Sequence, residues 1–277
     1  MPVRIAVAAI NFGPTFPGLM YARLKKRAGP DQLLVETTTQ VTTIDENDLA
    51  RARVLGLLEG QPKPIALVGI CIRPGAATLA AFRAVGAPTV LLDEETDGAS
   101  TVSCDNFHGA YLATSHLLGL GRRRLAIVVG ASVGGDMNTA QRLAGFQKAL
   151  AEKRLTPVDV IYSHDYTRRD GAYAMTKLLD EGRKVDGVFV AAGDVCATGL
   201  LQVARERRIQ VPEDVAIVGF DDNSLAAISD PPLTTIRQPV EAMADAAFRL
   251  ATEETAEILA QPKRITLKPT LVVRQSA

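Results

Sequence analysis

At 277 residues the chain is long enough for one large domain or two small ones. With 47% hydrophobic and 22% charged residues it has the make-up of an ordinary soluble globular protein. Lysine plus arginine and aspartate plus glutamate both number 31, a formal net charge of +0, so the basic balance of a free-standing nucleic-acid binder is lacking.

The first residues, Met1-Pro2-Val3-Arg4-Ile5, run directly into a strand, without the charged, apolar and small-residue succession of a signal peptide. Short β-branched runs predict strands at 3–10, 65–70, 89–92, 125–129, 158–162, 187–190 and 215–218. Helical patterns lie between them. Over 139–153, Leu143, Phe146 and Leu150 recur at spacings of three and four, and Val240, Met243, Ala247 and Leu250 repeat the pattern from 240 to about 258. Asn138 or Thr139 is the expected N-cap of the first. Strand, helix and strand at this interval mean βαβ units and parallel sheets. Basic clusters at 23–27, 122–124 and 205–208 are expected at turns and helix ends, where cations are favoured. No stretch reaches the roughly 18 to 20 apolar residues of a membrane span. Cys71, Cys104 and Cys196 are few, scattered and odd in number, which fits a reducing, cytoplasmic compartment.

Motifs for enzyme chemistry are nearly absent. There is no phosphate-cradling G-x-x-x-x-G-K-[ST], and no G-x-G-x-x-G follows the first strand. His108, His116 and His164 form no H-E-x-x-H and the cysteines no C-x-x-C, so no metal, cofactor or catalytic group is expected. Gly130-Ala131-Ser132-Val133-Gly134 does match the G-x-S-x-G nucleophile elbow. The elbow requires a helix at once and a later Asp and His; here Gly135-Asp136 prolong the loop and His164 is the only downstream histidine. The segment reads as a loop.

The passage from Val215 to Gln238 says most. An apolar strand ends in Gly219-Phe220-Asp221-Asp222 and delivers a carboxylate to the strand's C-terminal end, where ligands bind in open α/β sheets. A Pro231-Pro232 turn leads into Leu233-Thr234-Thr235-Ile236, and the chain leaves through Gln238-Pro239. With Gln141-Arg142-Leu143-Ala144-Gly145-Phe146 and Leu271-Val272-Val273-Arg274, this passage resembles the lac repressor/galactose repressor family of bacterial transcriptional regulators. Residues 11–60 resemble it least.

The resemblance implies an α/β fold of two similar doubly wound parallel-sheet lobes, like a type I periplasmic binding protein, with a ligand cleft between them. The lobes would comprise residues 1–105 with 239–268, and 106–238 with 269–277. It implies an effector (a sugar, polyol or nucleobase-like metabolite) gripped by Arg142 and accepted by Asp221, with Asp93 as a further acid. Tyr166 and Phe16 would be aromatic walls, and Asn11, Asn138, Asp194 and Gln238 complete the ligand-binding candidates. Gly193 stands where the family usually has Asn, leaving more room. A homodimer is expected, formed through the first lobe and the helix from 240. Operator DNA would be read only by a helix-turn-helix headpiece, which is not expected in this chain. The alternative is a stand-alone sugar-binding protein for transport or chemotaxis. Because an arginine early in a helix opposes the helix dipole, removing Arg142 is expected to leave the apo fold as stable or more so.

Overall fold

The computed structural model describes residues 2–13, 15–130 and 137–277. Beyond Gly130, the G-x-S-x-G motif lies outside the described residues. The chain begins β1 (Val3–Ala9), α1 (Phe16–Arg27), β2 (Gln32–Thr38), α2 (Asp48–Gly56), β3 (Leu67–Ile70), α3 (Ala76–Ala84), β4 (Thr89–Leu92) and β5 (Ser100–Cys104). It continues α4 (Asn106–Gly119), β6 (Leu125–Gly130), α5 (Met137–Glu152), β7 (Asp159–Ser163), α6 (Arg168–Asp180), β8 (Gly187–Val190), α7 (Asp194–Glu206), β9 (Ala216–Asp221), α8 (Ser224–Ile228) and β10 (Thr234–Arg237). Last come α9 (Val240–Thr252), α10 (Thr255–Ala260), β11 (Arg264–Leu267) and β12 (Thr270–Val272).

These elements divide into two compact units, Met1–Cys104 with Pro239–Leu267, and Asp105–Gln238 with Lys268–Ala277. The first holds a sheet of order β11-β5-β4-β3-β1-β2, parallel at every pairing. The second holds β12-β10-β9-β8-β6-β7, parallel except for the antiparallel β10–β12 pair. Each is a doubly wound sheet whose order reverses beside its first strand, at β1/β3 and β6/β8. Such a reversal opens a crevice at the strands' carboxyl ends. The apolar runs β3, β4, β6 and β8 are buried throughout, as strands covered on both faces must be. β2 is an edge strand with no fully buried residue, and therefore carries no such run.

In the second unit, helices pack backbone to backbone through glycine. A Cβ on Gly145 of α5 would collide with the Phe107 carbonyl oxygen of α4, and one on Gly199 of α7 with that of Arg168 in α6. Two helical expectations are corrected. α5 begins at Met137, so Asn138 and Thr139 lie in its first turn and neither is its cap. The helix expected from 240 to about 258 stops at Thr252, and α10 starts afresh at Thr255. Glu253 and Glu254 stand at that break, where carboxylates oppose the negative end of the α9 dipole, and Glu254 instead pairs with Arg249 at 2.8 Å and Lys263 at 2.7 Å.

Candidate functional site

The second unit's switch point is built around Arg142. It projects from the second turn of α5, the helix that follows β6. Its Nε donates to Asn106 Oδ1 at 2.7 Å, and one Nη donates to the Ala191 carbonyl oxygen, just past β8, at 2.7 Å. The guanidinium lies 3.8 Å from the centroid of the Phe220 ring, a cation–π contact that fixes its plane. Asn106, fully buried at the start of α4, donates in turn to Asn138 Oδ1 at 2.9 Å. Among the described residues, the hydrogen bonds of the Arg142 guanidinium are those from Nε and this one Nη.

Asp221 ends β9 and supplies the complementary acceptor. Its Oδ1 accepts from Gln238 Nε2 at 2.7 Å. Burial raises its pKa above the usual aspartate value, opposed by the positive charge of Arg142 and by the Gln238 bond. Capping of the next helix falls to Asn223, which accepts from Leu225 N at 2.9 Å, so Asp221 is not spent there. Gln238 is buried, and its Oε1 meets no donor among the described residues. Gly193 explains itself in this setting. Its φ is +100°, and a Cβ would stand 2.8 Å from Asp221 Oδ2.

Asp194, expected beside the effector, lies instead in the interior, 0% exposed. It accepts from Thr235 Oγ1 at 2.6 Å and from Asn223 N at 2.9 Å. Burial, and then the charge of Asp221, push its carboxyl well above the usual range. Tyr166 is 41% exposed and sits in the left-handed region at φ +57°, its N–H donated to Ser163 Oγ at 3.1 Å. Its ring and hydroxyl occupy the space that a Cβ on Gly130 would need, so it covers the carboxyl end of β6.

The remaining candidates belong to the first unit. Asn11, exposed after β1, turns its Oδ1 back to accept from Gly13 N at 3.0 Å. Phe16, expected as an aromatic wall, is packed into that unit's core with Met20 and Leu24; a large apolar side chain at a helix start gains more from that burial than from water. Asp93 follows β4 at φ +61°, buried, its N–H donated to Val102 O at 3.1 Å.

The second unit thus brings together Asn138, Arg142, Asp221 and Gln238, with Asp194 supporting the turn from below. Sequence reasoning missed Asn106, Phe220 and the Ala191 carbonyl. Phe220 adjoins Asp221 in the motif, but nothing in its identity says that its ring lies under a guanidinium rather than only in the core. Among the described residues no group of three or more His, Cys, Asp or Glu is placed to hold a metal, and no helix is long and apolar enough to cross a membrane.

Known proteins are similar to this chain. The periplasmic binding protein-like domain family matches residues 114–277. An HTH-type transcriptional regulator encoded in the aml 5′ region of Streptomyces limosus, itself uncharacterised, is 40% identical over 197 residues, 69% of this chain and 55% of the regulator. The transcriptional repressor PurR of Escherichia coli O1:K1 is 30% identical over 238 residues, 83% of this chain and 68% of the repressor. The solved complex of the transcriptional regulator CelR with cellobiose has a TM-score of 0.82 at 26% identity, covering 100% of this chain and 86% of that one. The chain spans little more than half the length of the first of these relatives.

Proposed function

The chain belongs to the periplasmic binding protein-like domain family, in the form carried by LacI-type transcriptional regulators, and from that premise we propose that it is the effector-binding core of such a regulator. The effector is a polar, sugar-like metabolite held at the carboxyl edge of the second unit's sheet. The observation that carries this reading is the placement of Arg142 near enough to Asp221 for its charge to act on that carboxyl. The arginine's plane and direction are set by Asn106, Ala191 and Phe220. Asp221 and the buried Gln238 Oε1 supply acceptors. Fixed donors beside fixed acceptors suit a hydroxyl-rich molecule, each hydroxyl giving one proton and taking another. Tyr166 adds an exposed ring for the apolar face of a sugar.

The CelR–cellobiose complex supports a saccharide, and the relatives' description as HTH-type regulators favours control of transcription over transport. In this reading the protein binds reversibly without turnover. It works in the cytoplasm as a homodimer, and reaches operator DNA through parts of the regulator outside the matched region.

A thermal-shift screen of sugars, polyols and nucleobases, followed by titration calorimetry of the hits, tests the proposal. A saccharide or polyol bound with an affinity near the micromolar range, about 8 kcal/mol, is expected. A nucleobase as the sole binder would overturn the sugar assignment, and silence across all three classes would overturn the effector site itself.

A further inference from the structure

The turn after β9 places two consecutive non-glycine residues in the left-handed region, Asp221 at φ +107° and Asp222 at φ +56°. L-residues avoid this backbone unless the surroundings impose it. Here they do. Asp222 is 7% exposed at its side chain, and each of its oxygens takes an arginine. Oδ2 accepts from Arg237 Nε at 2.6 Å and Oδ1 from Arg274 Nη2 at 2.7 Å. Arg274 is itself anchored, donating to the Leu233 carbonyl oxygen at 2.8 Å and, through its backbone N–H, to Thr234 Oγ1 at 2.9 Å. On the far side of the turn, Asn223 N is tied to Asp194 Oδ2 at 2.9 Å. In the run 221–223 only the Asp221 carboxylate takes no part in holding the turn.

We infer that Asp222 is a positioning residue: clamped between Arg237 and Arg274, it fixes the left-handed turn that aims the Asp221 carboxylate at Gln238 and the effector. This rests on the effector-site reading above and names what sets its acceptor. Rotating one backbone angle in the turn would swing the carboxylate away from Gln238, and a misplacement of about 1 Å is enough to spoil a binding constellation.

The test uses the whole chain and four variants. Asp222→Gly keeps a residue at ease with positive φ but removes both arginine contacts; Asp222→Asn keeps the shape. Arg237→Met and Arg274→Met each remove one clamp without touching the turn, and carry the test should a position-222 variant fail to fold. NMR of the ligand-free protein reads hydrogen exchange of the Gln238 side-chain amide and the titration of the Asp221 carboxyl; calorimetry reads the affinity for cellobiose. In Asp222→Gly, still melting cooperatively, Gln238 exchange should quicken about tenfold or more, and Asp221 should titrate closer to an ordinary aspartate. Cellobiose affinity should fall about tenfold, the scale of one charge-assisted bond. Asp222→Asn and the two arginine variants should fall between Asp222→Gly and the wild type. If glycine fully restores both NMR signatures and Arg274→Met leaves them unchanged, Asp222 serves only the backbone and the inference is overturned. Should the wild type ignore cellobiose while Asp222→Gly still frees Gln238, the positioning role stands and the saccharide assignment is the part that fails.

Discussion

Arg142 is held by three partners within the second unit before any effector arrives. Its removal therefore has two consequences. Arg142→Ala removes a donor to the fully buried Asn106 Oδ1 and the bond to the Ala191 carbonyl oxygen, at a cost of about 1–3 kcal/mol of stability. It should also weaken effector binding by about tenfold to a hundredfold, as expected for charge-assisted hydrogen bonds. The helix-dipole argument from sequence, under which the variant is as stable or more so, is reversed, because Arg142 sits in the second turn of α5, where the dipole's influence has faded. Chemical denaturation of the apo protein distinguishes the two. Asp194 gives a pH signature at the same scale. Burial, and then the charge of Asp221, raise its carboxyl well above the usual value, so the native state favours the protonated form. Its contribution is full below the ordinary aspartate range and is lost as pH rises through the raised native value. Asp194→Asn should consequently be more stable than the wild type at pH 8, with the difference shrinking towards pH 5. Denaturation at both pH values checks this; a difference that widens on acidification would contradict it.

At the scale of elements, the position of Arg142 depends on how closely α5 approaches α4, and Gly145 sets that approach. Gly145→Ala should cost about 1–3 kcal/mol, the usual penalty for overpacking. It should also weaken effector binding, because α5 cannot retreat without carrying Arg142 away from Asn106. Melting and titration of this one variant measure both effects. The same scale shows which elements were legible. β4 and β8 could be read to the residue, since a strand buried on both faces is an uninterrupted apolar run bounded by polar turns. β2, Gln-Leu-Leu-Val-Glu-Thr-Thr, could not, because an edge strand half open to water has no such run. The break after α9 was hidden because apolar spacing continues through Ile258, while at the break Glu254 is drawn into ion pairs with Arg249 and Lys263.

Taken whole, the site was legible where sequence motif and sheet edge coincide. Arg142 and Asp221 follow β6 and end β9, so reading the strands also located the carboxyl edge. Asn106 was not legible, because the hydrogen bond that it accepts from Arg142 links residues far apart in the chain. Met243, Ala247 and Leu250 of α9 are buried in their own unit's core, so a partner meeting that helix would meet its other residues. Two-fold pairing remains the expectation from the family, and sedimentation velocity at micromolar protein should find a dimer; a concentration-independent monomer would count against it. In the basic cluster at 122–124, Arg122 donates to the carbonyls of Glu213 and Pro212 and Arg123 to that of Leu118, as expected of a helix end and turn. The central claim, a saccharide-like effector at the carboxyl edge of the second unit's sheet, is tested most directly by hydrogen–deuterium exchange with and without the saccharide that gives the largest thermal shift. Protection is predicted at 137–142, 191–194 and 220–223 and at Gln238. Protection confined to other segments, such as the groove lined by Tyr162, His164 and Tyr173, would contradict the account.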